Sequence, residues 1–511
     1  MMRFFRFILF LSALLTAHYS SAQSFDEFKK RMNAEFGKFE TKANEQYDDF
    51  YREINARYAE FMKLAWTEFE TQPAVPSPKT DPPVQPVYDP EQAPEAHVKV
   101  PSPRHFKFIK RIIRQVFPFL PIPETKVVEE EPVVEVEIPK EDIPEKAVEV
   151  LPEQTFDVEF FGATCSLRAN KDAIRTEMAD YNEQAVSSYW TQLADGRVNS
   201  LINDCLSVRT QLQLCDWGYW QFIKSVAGNV YGDEHENESI VLQAFIMTQS
   251  GYKVRLGRNS TGLIILISSD STIYNTSYFI INGTKFYAIG KNEKSAYICN
   301  FEFPGENLFS LQMSTLPALP IDSIAGRDLH AVKLGDKRIN LNHNRNILNF
   351  LDSYPQCSID NFAHASLDSI SKEALYPVLK EVIKDKTEEE AANILINFVQ
   401  TAFQYKVDDE QFGYERTLFA NETLYYPYSD CEDRSLLFAT LVRELLNLEV
   451  VLLDYPEHIA TAVCFNQDID GDYMMIENKK YIVCDPTYIG ADIGNTMPMF
   501  INVAADIIKI E

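Results

Sequence analysis

The segment Tyr425-Tyr-Pro-Tyr-Ser-Asp-Cys-Glu-Asp-Arg-Ser435 decides the fold of the C-terminal part of the chain, because a polar aromatic stretch ends there and a helix begins. Apolar residues follow at helical spacing: Leu437, Leu441, Val442 and Leu445. Asn447 suits a left-handed C-terminal cap. Cys431 is therefore expected at the N-terminus of a buried helix, where the peptide dipoles favour the thiolate, which is the nucleophilic form of cysteine.

Two residues further along the chain can complete a site of nucleophilic catalysis. His458 follows a turn and opens an apolar strand, and Asp485 ends the strand that begins at Tyr481. A neutral imidazole can take a thiol proton, and a carboxylate on its other nitrogen fixes the tautomer and stabilises the imidazolium. Glu432 and Asp433 oppose a thiolate, so a protonated histidine is needed beside the sulfur.

This order of residues resembles that of the transglutaminase-like superfamily of papain-like cysteine enzymes. The string Asp430-Cys-Glu-Asp433 is especially similar to that of the bacterial transglutaminase-like cysteine proteinases, and the resemblance covers about residues 385–495. It implies an α+β fold in which a cysteine-bearing helix packs on an antiparallel sheet. It also implies a Cys431–His458–Asp485 triad that acts without a cofactor on a protein or peptide substrate.

The spacing of the three residues sets a condition on the sheet. Both intervals, 431 to 458 and 458 to 485, are 27 residues, and the second is longer than is usual in the family because it holds a hairpin around 472–480. The triad needs the strands of His458 and Asp485 to be adjacent and antiparallel. Asp454 is the alternative orienting carboxylate if they are not. The Cys431 backbone N–H, with Gln400 or Tyr428 as a side-chain donor, would stabilise the oxyanion.

A short acidic string near the end of the chain resembles a calcium-binding loop. Asp468 and Asp470, followed by Glu477, nearly match the 12-residue pattern, but the flanks read as strands. We therefore favour a polar β-turn over a metal site.

The region 156–300 echoes the C-terminal domain. His235-Glu-Asn-Glu-Ser239 parallels Cys431-Glu-Asp-Arg-Ser435, and in this alignment His458 falls on Gly262 and Asp485 on Gly290. We interpret this region as a degenerate, non-catalytic copy. An unrelated α+β domain with similar periodicity is the alternative.

The remaining segments suggest an exported protein with an extended N-terminal part. Residues 1–22 have the layout of a secretory signal peptide. Aromatic residues recur every 11 positions over 23–70, which predicts one long amphipathic helix that packs on the chain or self-associates. Most of the 26 prolines fall in 71–155, which predicts a disordered linker. A β-rich connector is expected over 301–375, followed by the transglutaminase-like domain over 376–511.

Composition narrows the possible partners. The formal net charge of −27 argues against sequence-independent nucleic-acid binding, and no segment is long and apolar enough to span a membrane. Among the eight cysteines, Cys205 and Cys215 could form a bridge, although buried free thiols are the simpler expectation. We expect an exported cysteine peptidase or amidase in the periplasm, at the cell surface or outside the cell. The alternative is a non-catalytic binding or assembly protein on the same scaffold.

Overall fold

The computed structural model describes residues 51–80, 84–91, 97–101, 106–107, 152–232, 234–290 and 294–510. The expected signal peptide, the first part of the amphipathic helix and most of the segment between 102 and 151 lie outside these residues. Within the described part of the chain, no helix is both long and apolar enough to span a bilayer.

The fold contains two six-stranded sheets. The first consists of β1 Thr67–Glu70, β5 Val254–Arg258, β6 Leu263–Ser268, β7 Tyr278–Ile281, β8 Thr284–Tyr287 and β9 Ser295–Ile298. The second consists of β2 Phe106–Lys107, β14 Glu449–Tyr455, β15 His458–Cys464, β16 Tyr473–Ile476, β17 Lys479–Cys484 and β18 Asp506–Lys509. The strand orders are β7-β8-β6-β5-β9-β1 and β16-β17-β15-β14-β18-β2, so five strands of each sheet follow the same order. The sixth strands differ in direction, because β1 is antiparallel to β9 and β2 is parallel to β18.

The pairing registers of the two sheets support the duplication at the level of single residues. Ile267 lies opposite Val254 and Tyr287, as Val463 lies opposite Val450 and Ile482. Counting back from Ile267 and Val463 by the same number of residues reaches Gly262 and His458. Counting forward from Tyr287 and Ile482 reaches Gly290 and Asp485. The register therefore agrees with the alignment expected from the sequence.

Each sheet is preceded by a hairpin and a set of helices. The hairpins are β3 Gln154–Phe160 with β4 Ala163–Ala169, and β10 Ser323–Leu329 with β11 Ile339–Asn344. The first set of helices is α1 51–62, α2 Lys171–Ile174, α3 Glu183–Leu193, α4 Asn199–Gln211, α5 Asp216–Tyr231 and α6 Glu236–Gln249. The second set is α7 Arg345–Asp352, α8 Asp360–Ala363, α9 Ser369–Ile383, α10 Glu388–Ala402, α11 Asp408–Gln411, α12 Ala420–Tyr425 and α13 Cys431–Leu446. A short parallel pair, β12 Gln404–Tyr405 and β13 Tyr428–Ser429, precedes α13.

Helix α13 forms where the sequence predicts it. Its interior face is apolar, and it ends at Asn447 in the left-handed region (φ 55°, ψ 42°). Residues of α13 and of one face of β15 are buried in one continuous hydrophobic core, which includes Leu437, Leu441, Ile459 and Val463. This packing fixes the N-terminus of α13 against the start of β15, because both elements are buried along most of their length.

The amphipathic helix is shorter than predicted. Helix α1 ends at residue 62, and Thr67–Glu70 forms strand β1 against β9 instead of a further helical turn. The aromatic side chain of Tyr58 packs on Trp190 and Phe303 of the same chain, with ring centroids 4.6 and 4.8 Å away. The end of the aromatic stripe is therefore covered within the chain, and no second copy is needed there.

The described part of the proline-rich segment is not a free linker. Residues 71–80, 84–91 and 97–101, which together we call the strap, pair with the first sheet at one end and with the second at the other, and Phe106–Lys107 pairs with β18. The prolines leave few internal hydrogen bonds, so the backbone polar groups of the strap pair with the two sheets and their loops instead. The prediction of a disordered linker over 71–155 is wrong for this part.

Two further expectations need correction. The connector 301–375 contains helices α7 and α8 and the first part of α9 besides one hairpin, so it is not β-rich, and it continues into the second unit without a break. All eight cysteines are free thiols, and Cys205 and Cys215 form no bridge.

Candidate functional site

Cys431 is the first residue of α13 and is fully buried. The preceding Asp430 is extended (φ −112°, ψ −154°), and this conformation turns the chain into the helix. Three groups lie close to the sulfur: the Ile459 backbone N–H at 3.4 Å, a Glu432 carboxylate oxygen at 3.3 Å and the Thr80 carbonyl oxygen at 2.8 Å. The N–H favours a thiolate, whereas the two oxygen atoms accept from a protonated thiol.

His458 is held by Asp485. Nε2 of the imidazole lies 2.8 Å from Oδ2 of Asp485, and both side chains are almost completely buried. The pair forms because β15 and β17 are adjacent and antiparallel, while the hairpin strand β16 lies outside β17. The condition set by the 27-residue intervals is therefore met, and Asp454 is not needed as the orienting carboxylate.

The carboxylate of Asp485 is itself fixed. Its Oδ1 accepts hydrogen bonds from the backbone N–H groups of Thr487 and Tyr488, at 2.9 and 3.3 Å. These bonds fix the carboxylate, which accepts a hydrogen bond from Nε2–H and leaves Nδ1 as the nitrogen that can take a proton. Nδ1 is buried and has no hydrogen-bond partner among the residues that the structure describes.

Aromatic side chains fix the plane of the imidazole. The Phe500 ring stacks on His458 with centroids 5.1 Å apart and an interplanar angle of 11°, and Tyr455 lies roughly parallel at 6.5 Å. The rings exclude water from one side of the histidine. Ile459 follows His458 and its N–H donates to the sulfur, so the thiol lies next to the backbone that carries the imidazole, although no hydrogen bond joins Nδ1 to the sulfur.

A buried arginine supports the start of α13. Arg434 is fully buried, its Nε donates to the Ser429 hydroxyl (3.1 Å) and a guanidinium nitrogen donates to the Phe403 carbonyl (3.0 Å). Burial lowers the pKa of Arg434 to about 10. The Ser435 hydroxyl donates to the Ile459 carbonyl at 3.0 Å, so the helix and β15 are tied together next to the thiol.

Gln400 does not serve as the expected oxyanion donor. Its buried amide Nε2 donates to the carbonyls of Tyr488 and Ala491, at 2.8 and 2.9 Å, and so braces the loop that follows Asp485. The Tyr428 ring lies beneath Lys406 Nζ, 5.1 Å from the ring centroid, and no described contact joins Tyr428 to Cys431. The side-chain oxyanion candidates are therefore not brought to the sulfur.

Buried carboxylates surround the approach to the thiol. Oxygen atoms of Asp408, Asp430 and Glu432 lie within 4.8 Å of one another, and this is the only group in the described ranges with the composition to hold a metal ion. Burial, and then the charge of Glu432, raise the pKa of Asp408 to about 8. Burial also raises the pKa of Glu415 nearby. The surroundings of the sulfur are strongly acidic.

The calcium-like string does not gather its ligands. Asp468 is exposed and pairs with Lys480 at 2.6 Å, whereas Glu477 pairs with Lys509 at 2.5 Å. Asp470 is also exposed. Asp468 and Glu477 thus form separate ion pairs at the surface.

Sequence reasoning missed several residues of the site. Thr80, Phe500 and Arg434 all contact it, and Gln400 has a positioning role that differs from the expected one. Arg434 stands in the quoted segment beside Cys431, and its burial inside a helix could have been suspected from the surrounding apolar residues. Thr80 and Phe500 carry no such signal, because their contacts join distant parts of the chain.

Compared with known proteins, the chain matches no family model, no curated protein and no solved structure.

Proposed function

We propose that this chain is a transglutaminase-like cysteine enzyme that acts on peptide or amide bonds through Cys431, His458 and Asp485. One observation carries the proposal: a carboxylate-bound imidazole (2.8 Å) is followed in the chain by Ile459, whose N–H lies 3.4 Å from a thiol at a helix N-terminus. The imidazole Nδ1 makes no hydrogen bond to the sulfur in this structure, so the reaction requires the two to approach each other. A chance cysteine in a core does not need a buried histidine with an orienting carboxylate beside it.

The geometry suggests the following reaction. His458 Nδ1 takes the thiol proton, and the sulfur attacks the carbonyl carbon of the substrate, forming the S–C bond. The tetrahedral intermediate collapses as the C–N bond breaks, and the imidazolium gives its proton to the departing amine. Water, activated by the same histidine, then hydrolyses the thioester and restores the thiol. An amine in place of water would give transfer, and we favour hydrolysis.

Each neighbour has a definite part in this scheme. Asp485 holds the Nε2–H tautomer and stabilises the imidazolium, and Phe500 fixes the ring plane. The N-terminus of α13 lowers the energy of the thiolate and of the developing oxyanion, because its first N–H groups have no intrahelical acceptor. Glu432 works against the thiolate, so its charge must be offset by the imidazolium.

Trapping of the acyl-enzyme tests the proposal. Residues 75–91 should first be excised, so that the Thr80 carbonyl cannot shield the sulfur. A peptidyl electrophile should then label Cys431, and a peptide-library digest should give products that disappear in Cys431→Ala. Cys464→Ala is the matched control, since Cys464 is a partly exposed thiol at the other end of β15. Labelling that favours Cys464, with no products, would refute the enzyme.

A binding or assembly role is the second candidate. Two observations favour it. The Thr80 carbonyl covers the sulfur, and the first unit has Gly262 and Gly290 at the positions of His458 and Asp485. In that case Cys431 would titrate as an ordinary thiol, and His458→Ala would leave its alkylation profile unchanged. The two functions therefore predict opposite results in the same assay.

A further inference from the structure

The strap passes directly over the candidate thiol. Its Thr80 carbonyl oxygen lies 2.8 Å from Cys431 Sγ, although the two residues are 351 positions apart in the sequence. A carbonyl oxygen at this distance accepts from the thiol and occupies space at the sulfur that a substrate needs. Because a carbonyl oxygen can only accept, the contact favours the protonated thiol over the thiolate.

The strap is anchored on the first unit before it reaches the thiol. Gln72 pairs with Tyr278 of β7 (N–H to carbonyl 2.7 Å), and the Asn275 N–H donates to the Val75 carbonyl at 2.8 Å. Next to Thr80, Lys79 forms ion pairs with Asp409 and with Glu415, the latter at 3.6 Å. This basic residue matches the acidic surroundings of the sulfur.

Beyond the thiol, the strap is anchored on the loop that carries Asp485. The Ile489 N–H donates to the Pro86 carbonyl (2.9 Å) and the Tyr88 N–H donates to the Ile489 carbonyl (2.8 Å), which is the pairing of an extended peptide with a strand-like edge. The Tyr88 ring meets Tyr488 edge-on at 5.5 Å. The loop braced by Gln400 is therefore also a peptide-binding edge.

The end of the strap is built into the second sheet. Val98 and Val100 form backbone hydrogen bonds with Tyr473 of β16, at 3.1 and 2.9 Å, and Val100 is fully buried. The strap is thus held on both sides of Cys431.

The residues that the structure describes leave no open path to the thiol. Cys431 is fully buried, and the Thr80 carbonyl of the strap lies against its sulfur. A cavity of about 70 Å³ under the strap is bordered by Pro78, Thr80, Glu432 and Ile459, but Cys431 does not line it. Sites for small organic ligands measure about 300–1,000 Å³. A peptide substrate therefore cannot reach Cys431 until the strap moves.

We propose that the strap is an intramolecular competitor that covers Cys431 and keeps the enzyme latent until the strap is cut or displaced. This inference rests on the proposed function, since latency has meaning only for an active thiol. A tethered occupant competes at an effective concentration of about millimolar, and this advantage disappears when its ends are cut. Exposed positions on both sides of Thr80, at Ala74 and Glu91, offer places for such cuts.

Excision of the strap centre tests the proposal. Recognition sites for a specific protease are inserted after Ala74 and after Glu91, and the full chain is alkylated with iodoacetamide before and after cutting and desalting. We expect the rate at Cys431 to rise at least about tenfold on excision. The uncut protein with both insertions is the control. Cys205 is fully buried and must stay unreactive, which shows that the fold has survived.

Return of the excised peptide gives a second measurement. The peptide 75–91 at millimolar concentration should protect Cys431 again. The same peptide with Lys79→Glu should not protect Cys431, because the new carboxylate would face Asp409 and Glu415. The control peptide with Val84→Glu should protect as well as the natural sequence, because Val84 is 76% exposed. An equal rate before and after excision, or no protection by the natural peptide, would overturn the proposal.

The outcomes separate latency from catalysis. A faster rate with the pH profile of a free thiol would support the strap and refute the enzyme. A rate that is already high at low pH in the intact chain would support the enzyme and refute the strap.

Discussion

The substitution Asp485→Asn tests whether the imidazole activates the thiol. The carboxylate accepts from His458 Nε2 at 2.8 Å, and its other oxygen is held by the Thr487 N–H, so an asparagine can keep the loop contact and lose the charge. Its amide N–H₂ would face Nε2 and force the other tautomer, with the proton on Nδ1. The histidine could then no longer accept the thiol proton.

The expected size of this effect follows from the hydrogen bond that is lost. A hydrogen bond to a charged group contributes about 1.5–3 kcal/mol, and 1.36 kcal/mol corresponds to about one pKa unit. In Asp485→Asn, the pH at which half of Cys431 is thiolate should therefore be about one to two units higher. In the natural sequence the midpoint should lie well below the free thiol pKa of about 8.5.

The assay is the alkylation rate of Cys431 as a function of pH, followed by peptide mass spectrometry on protein without residues 75–91. Asp472→Asn is the matched control, because Asp472 is a buried carboxylate that accepts from the Val98 and Thr496 N–H groups and makes no described contact with His458. It should leave the midpoint unchanged. Identical midpoints in Asp485→Asn and the natural protein would refute the reasoning.

Three further predictions concern the surroundings of the site. Glu432→Gln removes a carboxylate 3.3 Å from the sulfur and should lower the midpoint of the same alkylation profile by about one pH unit; an unchanged midpoint would contradict the role given to Glu432. The raised pKa of Asp408, about 8, means that the folded state keeps a proton which the unfolded state releases, so the free energy of unfolding should fall as the pH rises from about 4 to about 8. Urea unfolding should show that Asp408→Asn flattens this fall, whereas Asp409→Asn at the surface does not. Gly262→Ala should lower the free energy of unfolding by at least about 2 kcal/mol more than Gly290→Ala. A Cβ at Gly262 would lie 2.6 Å from Asn237 Oδ1, whereas one at Gly290 meets no described atom within 4 Å. If the two substitutions lower the free energy of unfolding equally, the contact with Asn237 is not the cause.

Local features of the site were predictable because they follow from local chemistry. The helix that begins at Cys431, its Asn447 cap and the strands after it were read from apolar spacing and capping residues. The sequence shows only that His458 can pair with Asp485 if their strands are adjacent. Whether they are depends on the order of β15, β16 and β17 across the sheet. No periodicity in one strand reports which strand lies next to it.

Contacts that depend on the path of the chain were not predictable. Proline content suggested a free linker, since proline disfavours helices and central strands. However, an extended proline-rich segment can still donate and accept hydrogen bonds at the edges of a folded body, as at Pro86 and Tyr88. The expected oxyanion role of Gln400 is wrong for a similar reason. Gln400 is 91 residues from Ala491 in the sequence, and no local pattern indicates that its amide donates to that loop.

The geometry at Gly262 shows why the first unit has no counterpart of the candidate site. Gly262 has a φ of +149°, and the adjacent Leu263 N–H donates to Asn237 (2.7 Å), whereas the equivalent Ile459 N–H donates to the Cys431 sulfur. An amide therefore fills the corner that holds the thiol and imidazole in the second unit, so the first cannot accept a histidine there without a clash.

The first unit nevertheless contributes to the site, because its Tyr278 and Asn275 hold the start of the strap. Tyr473 of the second unit, which aligns with Tyr278, holds the strap's end. The strap thus binds corresponding edges of two related sheets, and the path between these edges crosses Cys431. A single unit would offer only one of the two anchors and could not keep the segment stretched over the thiol. The coverage of Cys431 therefore depends on both sheets, and the first unit serves as an anchor for the strap.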